Sequence, residues 1–159
     1  MNYLDVNVDL LEYVSKSKNI ETITYNKKKS LEIFTPLVFI SKIKDKYDNE
    51  YIKLNLEEYD KLRDLLEYID LHAMILHDIK QSDVNKFKSS RYKGSLSCKV
   101  IKNKGRITTD ISVNSLPGTI YDIKDNDKAK CSILIDTIWK DNDIISLKWK
   151  IKRCCVYRN

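Results

Sequence analysis

Glycine and proline are scarce in this 159-residue chain, with three and two respectively. Few positions therefore favour positive φ or lack a backbone donor. The scarcity excludes a Gly-rich phosphate loop, and no G-x-S-x-G nucleophile turn is present. His72 and His77 are the only histidines, and a five-residue step does not put them on one helical face. Cys98, Cys131, Cys154 and Cys155 form no C-x-x-C pair and have no histidine near them in sequence, which argues against structural zinc. Cys98 and Cys131 lie in apolar strand-like runs and are expected as buried thiols, whereas the vicinal Cys154 and Cys155 are candidates for redox activity. No apolar run approaches the length of a membrane helix, so no membrane partner is expected. The first residues carry acids where a signal peptide carries Lys or Arg. These absences point to a non-catalytic protein that needs no cofactor or metal. Its expected location is intracellular, in the nucleus or cytoplasm of a host cell or in a virion, rather than secreted.

Heavy use of Ile, Lys, Asn, Asp and Tyr resembles the product of an AT-rich coding sequence, such as that of a virus or parasite. At 42% hydrophobic residues the chain suffices for one domain, or for two small repeats sharing a core. Its net charge of +6 is uneven. Residues 1–80 hold 12 basic and 15 acidic side chains, whereas residues 81–159 hold 17 and 8. A basic half of this kind suits a polyanionic partner, because each phosphate contact releases counterions.

The stretch Ile52 to Lys80 has the clearest local logic. Ile52 and Leu54 alternate with Tyr51, Lys53 and Asn55, the period of a short strand. Asn55 is then placed to cap a helix starting at about Leu56, with Glu58 three residues on as its capping-box partner. Tyr59, Leu62, Leu66, Ile69, Ala73 and Leu76 recur at three- and four-residue steps and form one apolar stripe.

Over Ile52, Leu54, Asn55, Glu57, Tyr59, Leu62, Leu66, Ile69 and Asp70 the chain resembles the single-stranded-DNA-binding transcriptional coactivators of the positive cofactor four type. Their fold recurs, duplicated, in the plant Whirly proteins. The family pattern reads roughly I-x-L-N-P-E-x-aromatic-x-x-L and continues to an Ile-Asp pair. Two features depart from it: Leu56 replaces the proline, and the strand connections lack the usual glycines. The resemblance implies a curved antiparallel sheet that holds single-stranded DNA, and a helix that packs across a partner's helix. The stripe from Tyr59 to Leu76, with Tyr68, His72 and Ile75 beside it, would then build a homodimer working with replication or transcription proteins.

Before the helix, period-2 alternation marks strands at Ile20–Tyr25, Leu31–Ile43 and Tyr51–Leu54, with a strand or short helix opening the chain. Pro36 must sit at an edge or bulge. Residues 81–91 are polar and without period, the composition of a linker. Beyond them alternation returns in two hairpins. The first pairs the strands around Leu96–Ile101 and Arg106–Val113, and the second pairs Cys131–Trp139 with Ile145–Lys152. The expected fold is α+β: a ββββα unit over residues 1–80, then a four-stranded, basic half over 92–159 packed with it.

Single-strand binding needs cations that track a backbone and aromatics on which bases stack. Two period-2 lysine rows fit: Lys42, Lys44 and Lys46 ending beside Tyr47, and Lys148, Lys150 and Lys152 around Trp149, itself expected in the core. Lys27 to Lys29, Arg91, Tyr92 and Lys93 are further candidates. Period-2 lysines also solvate an outer sheet face, so the competing expectation is a structural or host-protein-binding module that makes no nucleic-acid contact.

Overall fold

The structure, a computed structural model, describes residues 1–159. It is an α+β fold with one long helix and two curved sheets. The strands before the helix are β1 (Leu11–Ser17), β2 (Ile20–Tyr25), β3 (Leu31–Phe34), β4 (Val38–Lys44) and β5 (Glu50–Asn55). Helix α1 covers Asp60–Leu76. Then come β6 (Phe87–Ser89), β7 (Arg91–Tyr92), β8 (Ser95–Val100), a small hairpin of β9 (Lys102–Asn103) and β10 (Arg106–Ile107), β11 (Asp110–Val113) and β12 (Leu116–Gly118). The chain finishes with β13 (Asp127–Ile135), β14 (Thr137–Asp141), β15 (Ile144–Leu147) and β16 (Lys150–Tyr157). No helix is long and apolar enough to cross a membrane.

Five strands close on themselves in the order β4-β5-β8-β16-β13, with β13 back beside β4. β4, β5 and β8 are antiparallel neighbours, β13 returns antiparallel to β4, and β16 enters between β13 and β8, parallel to β8. This is a Greek-key barrel. Its interior is filled by inward residues of alternating parity, including Val38, Ile40, Ile52, Leu54, Leu96, Val100, Ala129 and Ile151, all at most 2% exposed. The second sheet runs β1-β2-β14-β15-β6. One continuous core joins barrel, helix and second sheet.

Both sheets draw on both halves of the chain, so the first four strands do not form a sheet of their own. β1 and β2 pair together, but β2 continues to β14, whereas β3 joins β13 and β4 joins β5. Pro36 lies between β3 and β4 and separates what the alternation reads as one strand. The segment Cys131–Trp139 divides in the same way at Asp136. The break shifts the parity by one, so Ile135 and Ile138 are buried while Trp139 is 48% exposed. Residues 81–91 fold rather than link: a 3-10 turn over Gln81–Lys86 leads into β6, which pairs in parallel with β15. In the first expected hairpin, β8 and β11 do not pair, because each finds β16 instead.

The helix begins four residues later than its cap signal. Asn55 does accept from the Glu57 N–H at 3.0 Å, but it closes a turn that continues with the Tyr59 N–H on the Leu56 carbonyl, and α1 starts at Asp60. Leu62, Leu66, Ile69 and Ala73 are fully buried in this chain's own core. They are therefore unavailable as the dimer face that the resemblance implies; of that stripe only Tyr59 and Leu76 retain exposure. The exposed apolar helix residues are Tyr68, Ile75 and Leu76.

The helix is anchored at both ends. The Tyr59 hydroxyl donates to the Leu37 carbonyl beside the barrel at 2.5 Å. Near the other end, His77 Nε2 lies 2.6 Å from Glu21 of β2, and Lys140 pairs with the same carboxylate. Tyr13 of β1 reaches both histidines, with its hydroxyl 3.2 Å from His72 Nδ1 and its ring edge-on to His77 at 5.1 Å. The five-residue step that separates their helical faces is thus bridged by a side chain from the second sheet.

Candidate nucleic-acid interface

Alternation within the barrel strands sends every second residue outward. Where β13, β4, β5 and β8 lie side by side, the outward residues are Lys128 and Lys130; Phe39, Ser41 and Ile43; Tyr51, Lys53 and Asn55; and Ser95, Ser97 and Lys99. None of the eleven is buried and none is acidic. Cross-strand register sets them in rows. Lys128 faces Phe39, Ser41 faces Lys53 and then Ser97, and Ile43 faces Tyr51 and then Lys99. With strands about 4.8 Å apart, this wall is about 14 Å across, and successive outward residues stand about 7 Å apart along each strand.

Local sequence explains why these four lysines point out. Lys53 sits between the buried Ile52 and Leu54, Lys99 between Cys98 and Val100, and Lys128 and Lys130 flank Ala129. Each neighbour is drawn inward by the barrel core, so the lysine must face water. Lys128 Nζ stands 5.1 Å over the Phe39 ring, and none of the four makes an ion pair. Acids bound the wall at its two ends. Glu57 and Glu58 follow Asn55, where they line a recess of about 250 Å³ with Phe39, Tyr59 and Lys128. Asp45 and Asp48 lie in the turn between β4 and β5. The acid-free strip therefore runs across the strands.

The β4–β5 turn is organised by Asp45. Its carboxylate accepts from the side-chain amide of Asn49 at 3.0 Å and from the backbone N–H groups of Asn49 and Tyr47 at 2.9 and 2.8 Å. The Asn49 amide is the largest of the influences that hold its carboxyl below the usual aspartate range. This fixes the tip that carries Lys46 and Tyr47, whose ring lies 5.1 Å from the lysine ammonium and is 73% exposed. Beside the tip, burial raises the Tyr51 phenol, and the adjacent Asp45 raises it further.

The structure separates the residues of the two lysine rows. Lys46 and Tyr47 stand free at the hairpin tip. Lys42 and Lys44 share the inward parity of Val38 and Ile40, but they lie beyond Ile40, where the pairing of β4 with β13 ends, so both are exposed, and Lys44 is 4.0 Å from Glu50. In the second row Lys150 is bonded to Asp136 at 2.8 Å and Lys152 to Glu32 at 3.2 Å, so both charges are matched within the chain. Lys148 is exposed and Trp149 buried, as core packing requires. Arg91 serves structure: its Nε donates to buried Asp70 at 2.7 Å, alongside Ser89 Oγ at 2.6 Å. Tyr92 faces Ser95 at the β8 side of the wall, is 68% exposed, and has the Lys93 ammonium 5.3 Å from its ring. Lys27 and Lys29 are exposed on the turn after β2, and no strand pairing brings them onto the wall.

Lys53, Lys99, Lys128, Lys130, Phe39 and Tyr51 belong to neither lysine row of the sequence. For Lys53, Lys99, Lys130 and Phe39 the signal is a cation or aromatic between two buried apolar neighbours, and Tyr51 and Lys128 each have one such neighbour; apart from the β4–β5 hairpin, their strands become neighbours only through tertiary pairing. No cluster of His, Cys, Asp and Glu in the structure is arranged to hold a metal ion. No protein-family model matches the chain, and no curated protein matches it.

Proposed function

We propose that this chain is a non-catalytic, single-stranded nucleic-acid-binding protein that serves replication or transcription of a viral or similarly AT-rich genome. The observation that carries this reading is the barrel wall: eleven accessible positions over four strands, with four unpaired lysines, Phe39 and Tyr51 among them, and no acid. Lysines can track phosphates while the two rings offer stacking surfaces, the combination on which sequence-tolerant single-strand binding rests. Architecture supports it by analogy alone. Five-stranded Greek-key barrels of the oligonucleotide-binding kind use the face of their second and third strands and the loop joining the first two. Here those are β5, β8 and the turn bearing Lys46 and Tyr47.

The test is fluorescence anisotropy with a labelled 16-nucleotide single strand over a salt series. Four phosphate contacts give a slope of log affinity against log salt of about −3. Equal affinity for duplex of the same length would reduce the reading to general polyanion binding. No binding at low salt would overturn it.

A further inference from the structure

Lys42 and Lys44 belong to a recess rather than to the wall. Both lie on the length of β4 beyond Ile40, where its pairing with β13 ends, and a recess of about 240 Å³ forms there between them, Glu50, Tyr51, Ile43 and the turn carrying Tyr121. Tyr121 is 78% exposed, while its neighbours Ile120 and Ile123 are buried and fix the turn that presents it. The recess is continuous with the wall, because Ile43 and Tyr51 line both. It also contains an unmet requirement. Glu50 Oε2 is buried without a hydrogen-bond partner, and Lys44 Nζ is 4.0 Å from the other carboxylate oxygen, beyond hydrogen-bond reach. A buried acceptor without a donor is costly, and because no hydrogen bond holds the Glu50 carboxylate, it is free to turn toward a ligand in the recess that supplies the donor.

We infer that this recess seats one unstacked base of the bound strand, and that it favours a base bearing an exocyclic amine. The amine donates to Glu50, as it does when an acidic side chain accepts from cytosine N4. The base ring lies on Tyr121, the mode by which single-stranded bases are usually held. Lys42 and Lys44 meet the flanking phosphates as the strand leaves the wall. Thymine and uracil present carbonyl oxygens where the amine would be and leave Glu50 facing an acceptor. The chain should therefore prefer amino-bearing bases at one position while remaining indifferent to sequence along the wall.

This inference rests on the single-strand reading, and the experiment separates the two. Labelled 16-mers of deoxythymidine, and the same strand with each position in turn changed to deoxycytidine, are titrated at neutral pH and low salt. The expected result is that cytidine tightens binding about 3- to 10-fold, the worth of one added hydrogen bond, at those positions from which the strand can shift it into the recess, and not at the strand end that the recess never meets. Glu50→Gln carries both a donor and an acceptor, so it should level that preference. Tyr121→Ala, at an exposed site that leaves folding intact, should abolish it. Lys53→Ala with Lys99→Ala should weaken every strand alike and keep the preference. If thymidine and cytidine strands bind equally at every position, or if the preference survives Glu50→Gln, the recess reading fails while the wall stands. If no strand binds at low salt, both fail together.

Discussion

The ammonium of Lys128 on β13 stands 5.1 Å above the ring of Phe39 on β4, directly across the strand pair and in solvent reach. The contact covers one face of the ring with a long flexible cation, which swings toward a phosphate when a base stacks on Phe39. Phe39→Ala should therefore weaken single-strand binding by about 1–3 kcal/mol, the usual worth of one base–aromatic stack. Because Phe39 is 44% exposed, thermal unfolding should move little. Anisotropy and a melting curve on the same preparation check both halves of this expectation.

Charge pairing predicts which lysines matter. Lys53→Ala and Lys99→Ala should each make the salt slope shallower by about 0.7, as expected for one lost phosphate on a single strand. Lys150→Ala and Lys152→Ala should leave the slope unchanged, because Asp136 and Glu32 already occupy those cations. Losses from Lys150→Ala and Lys152→Ala, with none from Lys53→Ala and Lys99→Ala, would place the strand on β16 instead.

The buried helix stripe gives a stability prediction. Leu66→Ala removes a fully buried side chain and should cost about 2–5 kcal/mol of folding free energy. Since Leu66 serves the chain's own core, urea midpoints measured at low and high protein concentration should shift equally. A loss that grew on dilution would instead mark an obligate dimer.

Two classes of paired carboxylate oppose each other in acid. Burial works to raise the carboxyls of Glu21 and Glu32, but partners outweigh it and both are lowered: Lys140 and His77 act on Glu21, Ser132 and Lys152 on Glu32. The stability these groups contribute is present above their unfolded pKa values, about 4.3, and is lost as pH falls through the lower folded values. Asp70 has the reverse sign. Burial raises its carboxyl despite Ser89 and Arg91, so its contribution is complete below about 3.9 and is lost as pH rises through the folded value. Asp70→Asn removes only that second dependence. Its stability relative to the parent should improve between pH 4 and pH 7 in urea unfolding, and a gap unchanged between the two would contradict the assignment.

Thiol chemistry should be confined to one position. Cys98, Cys131 and Cys154 are buried inside the barrel, with the sulfurs of Cys131 and Cys154 4.0 Å apart on facing strands. Burial pushes the Cys98 thiol up, and for Cys131 the bond to Cys154 acts with burial in the same direction. An aromatic disulfide reagent should titrate Cys155 alone in the native protein and all four thiols in denaturant. Rapid native labelling of two would show that the vicinal pair is open to chemistry.

Much of the local structure is legible in the residues. Ile20–Tyr25 alternates as β2 does, and Ile145, Leu147, Trp149 and Ile151 are all buried as their shared face demands. Helix α1 follows from its three- and four-residue steps, although Asn55 spends its cap on the preceding turn. What the sequence conceals is partnership. Period 2 marks a strand without naming its neighbour, so nothing local places β13 beside β4 or splits Cys131–Trp139 between two sheets. The same limit hid the candidate site. Lys150 and Lys152 look as free as Lys53 and Lys99 until Asp136 and Glu32, remote in sequence, are brought to them. Likewise Lys128 and Phe39 lie 89 positions apart and become a pair only through sheet register.

The strand that closes the barrel is also the latest in sequence. β16 pairs with β13, β11 and β8, and its link to β8 spans only Lys99–Lys150 and Val100–Ile151. During synthesis all four wall strands therefore leave the ribosome before the one that makes the sheet a cylinder. Until residues 150–157 arrive, β8 and β13 present unpaired edges, an invitation to pair with other nascent chains. A chain that stops before Lys150 should therefore aggregate, because the edges of β8 and β13 that β16 covers stay open.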